Sequence, residues 1–441
     1  MIRICMVGTG YVGLVSGACM ADFGHQVTCV DINAERIAGL RKGVIPFYEP
    51  GLDRLVLKNV DEERLAFTTD LAEGMQDADV VFIAVQTPQS ASGEADLQYV
   101  LKVGEEIGTL LDGYKVIVTK STVPVGTNRR VAKVIQDNLK QDLPFDMASN
   151  PEFLREGSSI EDFMRPDRVV IGTETERSEE LMREIYRPLY LLDTPMVKTT
   201  IETAELIKYA SNAFLAVKIS FINEIAALAE AVGADVRDVA RSMGLDKRIG
   251  SKFLHAGLGF GGSCLPKDTN AIVHIAESAG TDMAIVRAAI GVNADLPARA
   301  FAKADRLTGG IAGKTVALFG LAFKPNTDDI RSAASLELVR LLRDADCTVR
   351  AHDPAAMDNF KQVQKDITYC ESAYDASRDA DIVILVTEWN PYRQLDFPHL
   401  AELMSGNAFL DCRNVYDRPH VEKHGLIYDC FGRADHTSAK A

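Results

Sequence analysis

The chain has no C-x-x-C pair, although it carries eight cysteines, at positions 5, 19, 29, 264, 347, 370, 412 and 430. Thiols scattered in this way offer no metal-site spacing, and they fit the reducing setting of a cytoplasm. No apolar run is long enough to cross a bilayer. No leader is visible either, because Met1-Ile-Arg-Ile-Cys-Met-Val-Gly runs straight into what reads as a folded strand. Short-period repeats and low-complexity tracts are missing as well. Positive charge is in deficit: 48 Lys and Arg against 63 Asp and Glu leave a net charge of −15. That argues against a general nucleic-acid binder and a membrane-surface protein. It leaves room for a polyanionic ligand held where cations gather in one cleft. The remaining composition, 47% hydrophobic and 25% charged over 441 residues, is that of a soluble globular protein with two or three domains.

The N-terminal third reads as a dinucleotide site. Residues 2–7 form a short apolar strand, Gly8-Thr-Gly-Tyr-Val-Gly13 follows, and a helix rich in Ala, Gly and Val runs to Phe23. A second strand over 26–30 ends in Asp31, 23 positions after Gly8. A lone G-x-G-x-x-G is weak, but strand, glycines, helix, strand and acid together are specific. Gly8 makes the turn, Gly10 lets backbone approach a pyrophosphate, and Gly13 lets helix and strand pack closely. The helix N-terminus faces the phosphates. Asp31 accepts hydrogen bonds from a ribose diol and repels a 2′-phosphate, which favours NAD over NADP. A different adenosine ligand on the same fold is the alternative.

Further strands over 79–85 and 115–119 alternate with helices, and ligands of such sheets sit at the carboxyl ends of strands. Thr87, Ser121 and Thr122 stand at those ends, placed for cofactor or a bound water, with helix capping as the competing role. Glu152 and Glu156 are four apart, so a helical turn there puts both carboxylates on one face; a solvated surface is the bland alternative.

No Gly or Pro interrupts residues 202–231, which read as one long helix. Lys208, Asn212 and Asn223 fall on one stripe of it, either a polar site or a solvated face. A shorter helix and turn occupy 233–250. The stretch 257–268 then holds Gly257, Gly259, Gly261 and Gly262, followed by Cys264, Pro266, Lys267 and Asp268. A thiol beside a helix start and a lysine has a lowered pKa and more thiolate, whereas an incidental buried cysteine is the competing reading. Helices follow at about 269–279 and 283–295, with Pro297 near the end of the second. The C-terminal third repeats the α/β pattern, with strands over 313–319, 347–352, 381–387 and 408–411. Lys324, Arg331 and Arg413 follow strand ends, where cations grip phosphates.

Together, Gly8-Thr-Gly-Tyr-Val-Gly-Leu14, Lys120-Ser-Thr-Val-Pro-Val-Gly126, Asn150-Pro-Glu-Phe-Leu-Arg-Glu-Gly157, Ala204-Glu-Leu-Ile-Lys-Tyr-Ala-Ser-Asn212, Gly259-Phe-Gly-Gly-Ser-Cys-Leu-Pro-Lys-Asp268, Gly320-Leu-Ala-Phe-Lys324 and Asp411-Cys-Arg-Asn414 resemble the UDP-glucose/GDP-mannose dehydrogenase family. The resemblance runs to about Arg433. It implies an α/β chain of two Rossmann-like, doubly wound domains joined by a central helical domain with one long helix. The implied divisions are 1–198 for NAD binding, 199–298 for dimerisation and the catalytic Cys, 310–434 for the UDP-sugar, and a polar tail over 435–441.

The implied chemistry is a four-electron oxidation of a sugar primary alcohol to a carboxylate with two NAD and a water. Cys264 is the implied nucleophile, passing through a thiohemiacetal and a thioester. Lys208 is the implied stabiliser of alkoxide and oxyanion, with Asn212 a neutral donor to the same oxygen. Asp268 and Thr122 hold water, Glu156 is a second acid/base candidate, and Glu152 belongs to the same site. NAD-side contacts implied are Gly8, Gly10, Tyr11, Val12, Gly13, Asp31, Arg36, Thr87, Thr122, Glu156, Lys267 and Arg331. Sugar-nucleotide contacts implied are Glu152, Phe153, Leu154, Arg155, Glu156, Lys208, Asn212, Phe253, Leu254, His255, Ala256, Gly257, Gly261, Phe323 and Lys324. Arg248, from a partner subunit, and Arg413 complete them.

The glycines of 259–262 are expected to let a sugar lie against backbone. Lys267 is expected to point toward cofactor and Asp268 toward water. A homodimer through the central domain is implied, with no metal, nucleic acid or membrane partner. The run from Arg248 to Gly257 looks most like the UDP-glucose group, giving UDP-glucuronate as product. GDP-mannose or UDP-N-acetylmannosamine under the same chemistry is the nearest alternative. A one-step hydroxyacid dehydrogenase has no use for Cys264, and a non-catalytic nucleotide-sugar binder has no need of Cys264, Lys208 and Asp268 together.

Overall fold

The computed structural model describes residues 1–90 and 93–434, so the expected polar tail 435–441 lies outside the described residues. Two compact units emerge, one of Met1–Ser211 with Asn270–Thr281, the other of Asn212–Thr269 with Asp282 onward.

The first unit is built on an eight-stranded sheet of β1 (Arg3–Val7), β2 (Gln26–Val30), β3 (Leu65–Thr68), β4 (Val80–Ile83), β5 (Lys115–Thr119), β6 (Phe145–Ser149), β7 (Val169–Thr173) and β8 (Met196–Thr199). Their order is β3-β2-β1-β4-β5-β6-β7-β8. Every neighbouring pair is parallel except β6 with β7, which is antiparallel. The run 3-2-1-4-5-6 is the doubly wound order expected of a dinucleotide fold, whose crevice opens where the winding reverses, at the carboxyl ends of β1 and β4. Strands β4 and β5 are buried along their whole length, as covered parallel strands must be. The helix Tyr11–Asp22 lays Gly13, Gly17 and Ala18 on the sheet, and these small residues allow close approach.

The second unit repeats the plan with β9 (Thr315–Phe319), β10 (Thr348–His352), β11 (Thr368–Tyr369), β12 (Ile382–Leu385), β13 (Ala408–Asp411) and β14 (Ile427–Cys430). The order is β11-β10-β9-β12-β13-β14, all parallel. Phe319, Phe360, Phe397, Phe409 and Tyr428 anchor its core.

The long helix is Ile201–Val232, 32 residues and roughly 48 Å at the standard rise. The dividing line between the units crosses it between Ser211 and Asn212. Two helix bounds differ from expectation. The helix placed at 269–279 is Leu265–Ser278 and starts directly after Cys264. The helix placed at 283–295 runs on through Pro297 to Thr308. Proline forfeits one helical hydrogen bond. The apolar face nevertheless continues through Leu296, Ala300 and Ala304, all buried in the second core, and Gly309 in the left-handed region ends the helix.

Candidate active site

At the head of β1, Gly8 has φ +105°, and a Cβ there would lie 2.6 Å from the Ala84 carbonyl oxygen. A Cβ on Gly13 would lie 2.0 Å from the Gly8 oxygen. Both positions therefore require glycine. A Cβ on Gly10 would meet nothing within 4 Å, so the helix N-terminus stays approachable. This cradle fits a dinucleotide pyrophosphate.

Asp31 closes the cradle. Its Oδ2 accepts from the Thr9 amide at 2.9 Å and hydroxyl at 2.7 Å, and its Oδ1 from the Asn33 amide at 2.9 Å. Burial pushes this carboxyl up, but those hydrogen bonds and the Arg36 charge hold it below the ordinary range. Arg36, expected as a cofactor contact, pairs with Asp31 at 3.1 Å. Tyr11 donates its hydroxyl to Glu49, and Val12 is half-buried beside it. The Thr87 hydroxyl donates to the Thr122 carbonyl at 2.9 Å and the Ser121 hydroxyl to the Val85 carbonyl at 2.5 Å. These hydroxyls stitch the loops after β4 and β5 together rather than capping helices. Thr122 itself is half-buried.

The loop after β6 departs from expectation. Residues 151–155 form neither helix nor strand, and a turn follows at Glu156 and Gly157, the latter with φ +80°. Glu152 and Glu156 therefore share no helical face. Glu152 turns inward: its Oε1 accepts from Lys208 Nζ at 2.8 Å and its Oε2 from the Leu154 amide at 2.5 Å. Burial raises the Glu152 carboxyl, while the Lys208 charge and hydrogen bond outweigh it and hold the group below the ordinary range. Phe153 is covered by Arg168, 3.6 Å above its ring, with Lys208 Nζ 5.5 Å from the same centroid. Arg155 is exposed and forks onto Asp162. Glu156 is half-buried.

Lys120 was not singled out from sequence. It is buried at the end of β5, donates to Asn150 Oδ1 at 3.0 Å, and is pushed down to about 8 by burial. Glu205, also missed, caps the helix Thr127–Asn138 by accepting from the Gly126 amide at 2.7 Å and the Asn128 amide at 2.9 Å.

The second unit carries the cysteine loop, pinned by two asparagines. Asn223, fully buried, accepts from the Gly257 amide at 3.0 Å. Asn293 accepts from the Phe260 amide at 2.8 Å and donates to the Phe260 carbonyl at 3.0 Å. Sequence reasoning missed Asn293; the available signal was an amide set inside an apolar helical run. The glycines have a packing reason not foreseen. Cβ atoms would fall 2.0 Å from Asn293 Oδ1 at Gly259, 2.4 Å from the Ser332 oxygen at Gly261, and 2.6 Å from the Phe323 ring at Gly262.

Cys264 follows, immediately before the helix, and its carbonyl accepts the first helical bond from the Asp268 amide at 2.9 Å. It is half-exposed, whereas the other seven cysteines are buried, and none forms a disulfide. Asp268, 1% exposed, accepts from Asn212 Nδ2 at 2.6 Å and from Lys267 Nζ at 2.7 Å. Lys267 and Asp268, expected to face different ligands, are thus joined. The stripe of the long helix is not solvated: Lys208, Asn212 and Asn223 are all buried, each engaged with a partner in its own unit.

Several of the remaining substrate candidates are neighbours: a Cβ on Gly257 would fall 3.5 Å from Arg413 Cδ, and one on Gly261 3.1 Å from Phe323 Cβ. Leu254 and Ala256 are core, packed with Ile222 and Ala226, while His255 is exposed and Phe253 half-buried. Arg413 donates to the Val386 carbonyl at 2.6 Å and reaches the Phe323 carbonyl at 3.4 Å. Lys324 Nζ stands 5.3 Å from the Phe323 ring centroid. Arg331 forks onto Asp329 with both contacts at 2.8 Å, and the exposed Arg248 forks onto Asp246. Among the described residues no His, Cys, Asp and Glu cluster suits a metal ion, and no helix is long and apolar enough to cross a membrane.

A doubly wound sheet with this glycine cradle, joined in one chain to a second such sheet and a half-exposed cysteine opening a helix, defines the class: a dinucleotide-dependent dehydrogenase. Residues 2–190 match the NAD binding domain of one such family, residues 202–295 its central domain and residues 317–418 its UDP binding domain. The chain belongs to the UDP-glucose/GDP-mannose dehydrogenase family. It is 50% identical over 439 residues to a UDP-glucose 6-dehydrogenase of Rhizobium meliloti, covering 98% of this chain and 100% of the relative. A solved UDP-glucose dehydrogenase from Pyrobaculum islandicum is 40% identical with a TM-score of 0.90, covering 97% of each chain. A UDP-D-ManNAc dehydrogenase from Pyrococcus horikoshii is 26% identical with a TM-score of 0.85, covering 98% of this chain and 99% of that one.

Proposed function

We propose that the chain oxidises the sugar primary alcohol of UDP-glucose to the carboxylate of UDP-glucuronate, using two NAD and one water per sugar. The observation that carries this reading is Cys264, half-exposed at the head of a helix while every other cysteine is buried. A single hydride removal needs no nucleophile. A second one does, because the aldehyde must first be trapped in a form that still carries a C–H bond. UDP-glucose is preferred over a related sugar nucleotide because the 50% relative bears that name, and the UDP-D-ManNAc enzyme stands at 26%.

Bound NAD supplies the hydride acceptor, twice per sugar. The chain's own residues do the rest. Cys264 Sγ bonds the aldehyde carbon and gives a thiohemiacetal; a thioester remains after the second oxidation, and water cleaves it to release the carboxylate and the thiol. Lys208 and Asn212 face the oxygen that gains charge at each stage. Their present partners, Glu152 and Asp268, are the groups that hold a proton or orient a water, with Thr122 and Glu156 as further candidates. Over the whole reaction an alcohol and a water lose two hydrides and three protons.

We assign NAD to residues 1–198, the nucleotide sugar to 310–434 and the catalytic thiol to 199–298. We also infer a homodimer. Phe214, Phe221 and Leu228 are exposed at spacings of seven along the long helix, an apolar stripe that a second copy would cover. Arg248 would then serve a partner's site. The absence of disulfides supports a reducing, cytoplasmic location. The test is a substrate panel: kcat/KM for UDP-glucose at least about 100-fold above GDP-mannose and UDP-N-acetylmannosamine supports the assignment, and a preference for either competitor overturns it.

A further inference from the structure

The Glu49 carboxylate joins two loops that the proposed reaction uses for different ligands. Glu49 is 7% exposed, in the turn before the helix Leu52–Asp61, and Gly51 holds that turn at φ +82°. Its Oε2 accepts from the Tyr11 hydroxyl and, at 2.6 Å, from the Gly157 amide. Its Oε1 accepts from the Ser159 amide at 2.8 Å. Tyr11 is the first residue of the fingerprint helix, and its ring rests on Phe47 of the same turn at 5.0 Å between centroids. Gly157 closes the loop that carries Glu152 and Glu156, and only glycine holds its φ of +80° comfortably. One buried carboxylate therefore ties the N-terminus of the fingerprint helix to the end of the carboxylate loop. Three donors converge on two oxygens, so movement of one donor changes the geometry available to the others.

We propose that Glu49 is a positioning residue that couples occupancy of the dinucleotide cradle to the conformation of the Glu152–Glu156 loop, and so to sugar-nucleotide binding; this rests on the functional reading above. A ligand at the fingerprint helix shifts or orders Tyr11, Glu49 follows it, and the Gly157 and Ser159 amides follow Glu49. Such coupling is reciprocal for binding: each ligand changes the affinity of the other by the same factor.

The test uses the full chain and titration calorimetry. In the wild type, saturating NADH should change the Kd of UDP-glucose about fivefold or more, and UDP-glucose should change the Kd of NADH by the same factor. In Glu49→Gln the two ligands should bind independently, the factor falling within about twofold of one, while Glu49→Asp, which keeps the charge, retains part of it. A second measurement needs no variant. In the wild type, NADH alone should slow amide hydrogen exchange across residues 152–159. Wild-type coupling in Glu49→Gln, or exchange there that ignores NADH, overturns the proposal. A wild type that binds UDP-glucose and NADH independently overturns the coupling alone; one that binds no UDP-glucose overturns the functional reading with it.

Discussion

Lys208 and Glu152 form an ion pair at 2.8 Å with side chains only 4% and 5% exposed, although 56 residues separate them in the chain. Removing one partner of such a pair leaves a buried charge uncompensated, which costs about 3–5 kcal/mol. Glu152→Gln should therefore lower the urea midpoint strongly. The acid side follows from the sign of the shift. The folded Glu152 carboxyl lies below its ordinary 4.5, so its contribution is present above that value and is lost as pH falls through the folded one. Wild-type stability should drop on acidification below pH 4.5, and Glu152→Gln should lose part of that dependence.

Lys120 makes the opposite test. Burial takes its ammonium from 10.5 to about 8. Between those values the unfolded chain binds the extra proton, so stability should rise with pH across that window. Below pH 8 both states are charged and the penalty, on the order of 3 kcal/mol, is fully present. Lys120→Met should abolish the rise, as measured by urea unfolding at pH 7, 8, 9 and 10.

Much of this was legible beforehand, for local reasons. The glycine cradle, the acid ending β2 and the long helix follow from spacings within a few tens of residues. Lys208, Asn212 and Asn223 share a helical stripe by arithmetic, and their burial shows that the stripe is not a solvated face. Long-range pairing was not legible. Nothing local tells that Glu152 reaches Lys208, or that Glu49 receives donors more than a hundred residues distant. The helix Ala284–Thr308 was cut short because Pro297 reads as a breaker, and only the second core shows why the helix survives it. For the glycines of 259–262, spacing alone does not reveal that Asn293, Ser332 and Phe323 fill the space where a Cβ would stand.

Asn293→Ala should loosen the cysteine loop, because it leaves the Phe260 amide without its acceptor. A buried donor left unsatisfied costs about 1–3 kcal/mol. The expected outcome is a kcat lowered roughly tenfold or more with the NADH Kd little changed. In native wild-type protein, iodoacetamide should alkylate Cys264 and spare the seven buried thiols; peptide mapping checks this.

Gly261→Ala places a methyl 2.4 Å from a backbone oxygen of Ser332, which cannot swing aside as a side chain would. It should destabilise by about 1–3 kcal/mol, the range of an overpacked site, and thermal unfolding would show it. Gly10→Ala, with open space at its Cβ, should leave stability nearly unchanged and instead weaken NADH binding.

The central claim is that one chain performs two successive oxidations on a sugar held through Cys264. Its most direct test is the number of NADH formed per UDP-glucose consumed with NAD in excess. The account predicts two, with UDP-glucuronate as the sole sugar product and no turnover to the acid in Cys264→Ser. One NADH per sugar with free aldehyde released, or undiminished acid formation by Cys264→Ser, would contradict it.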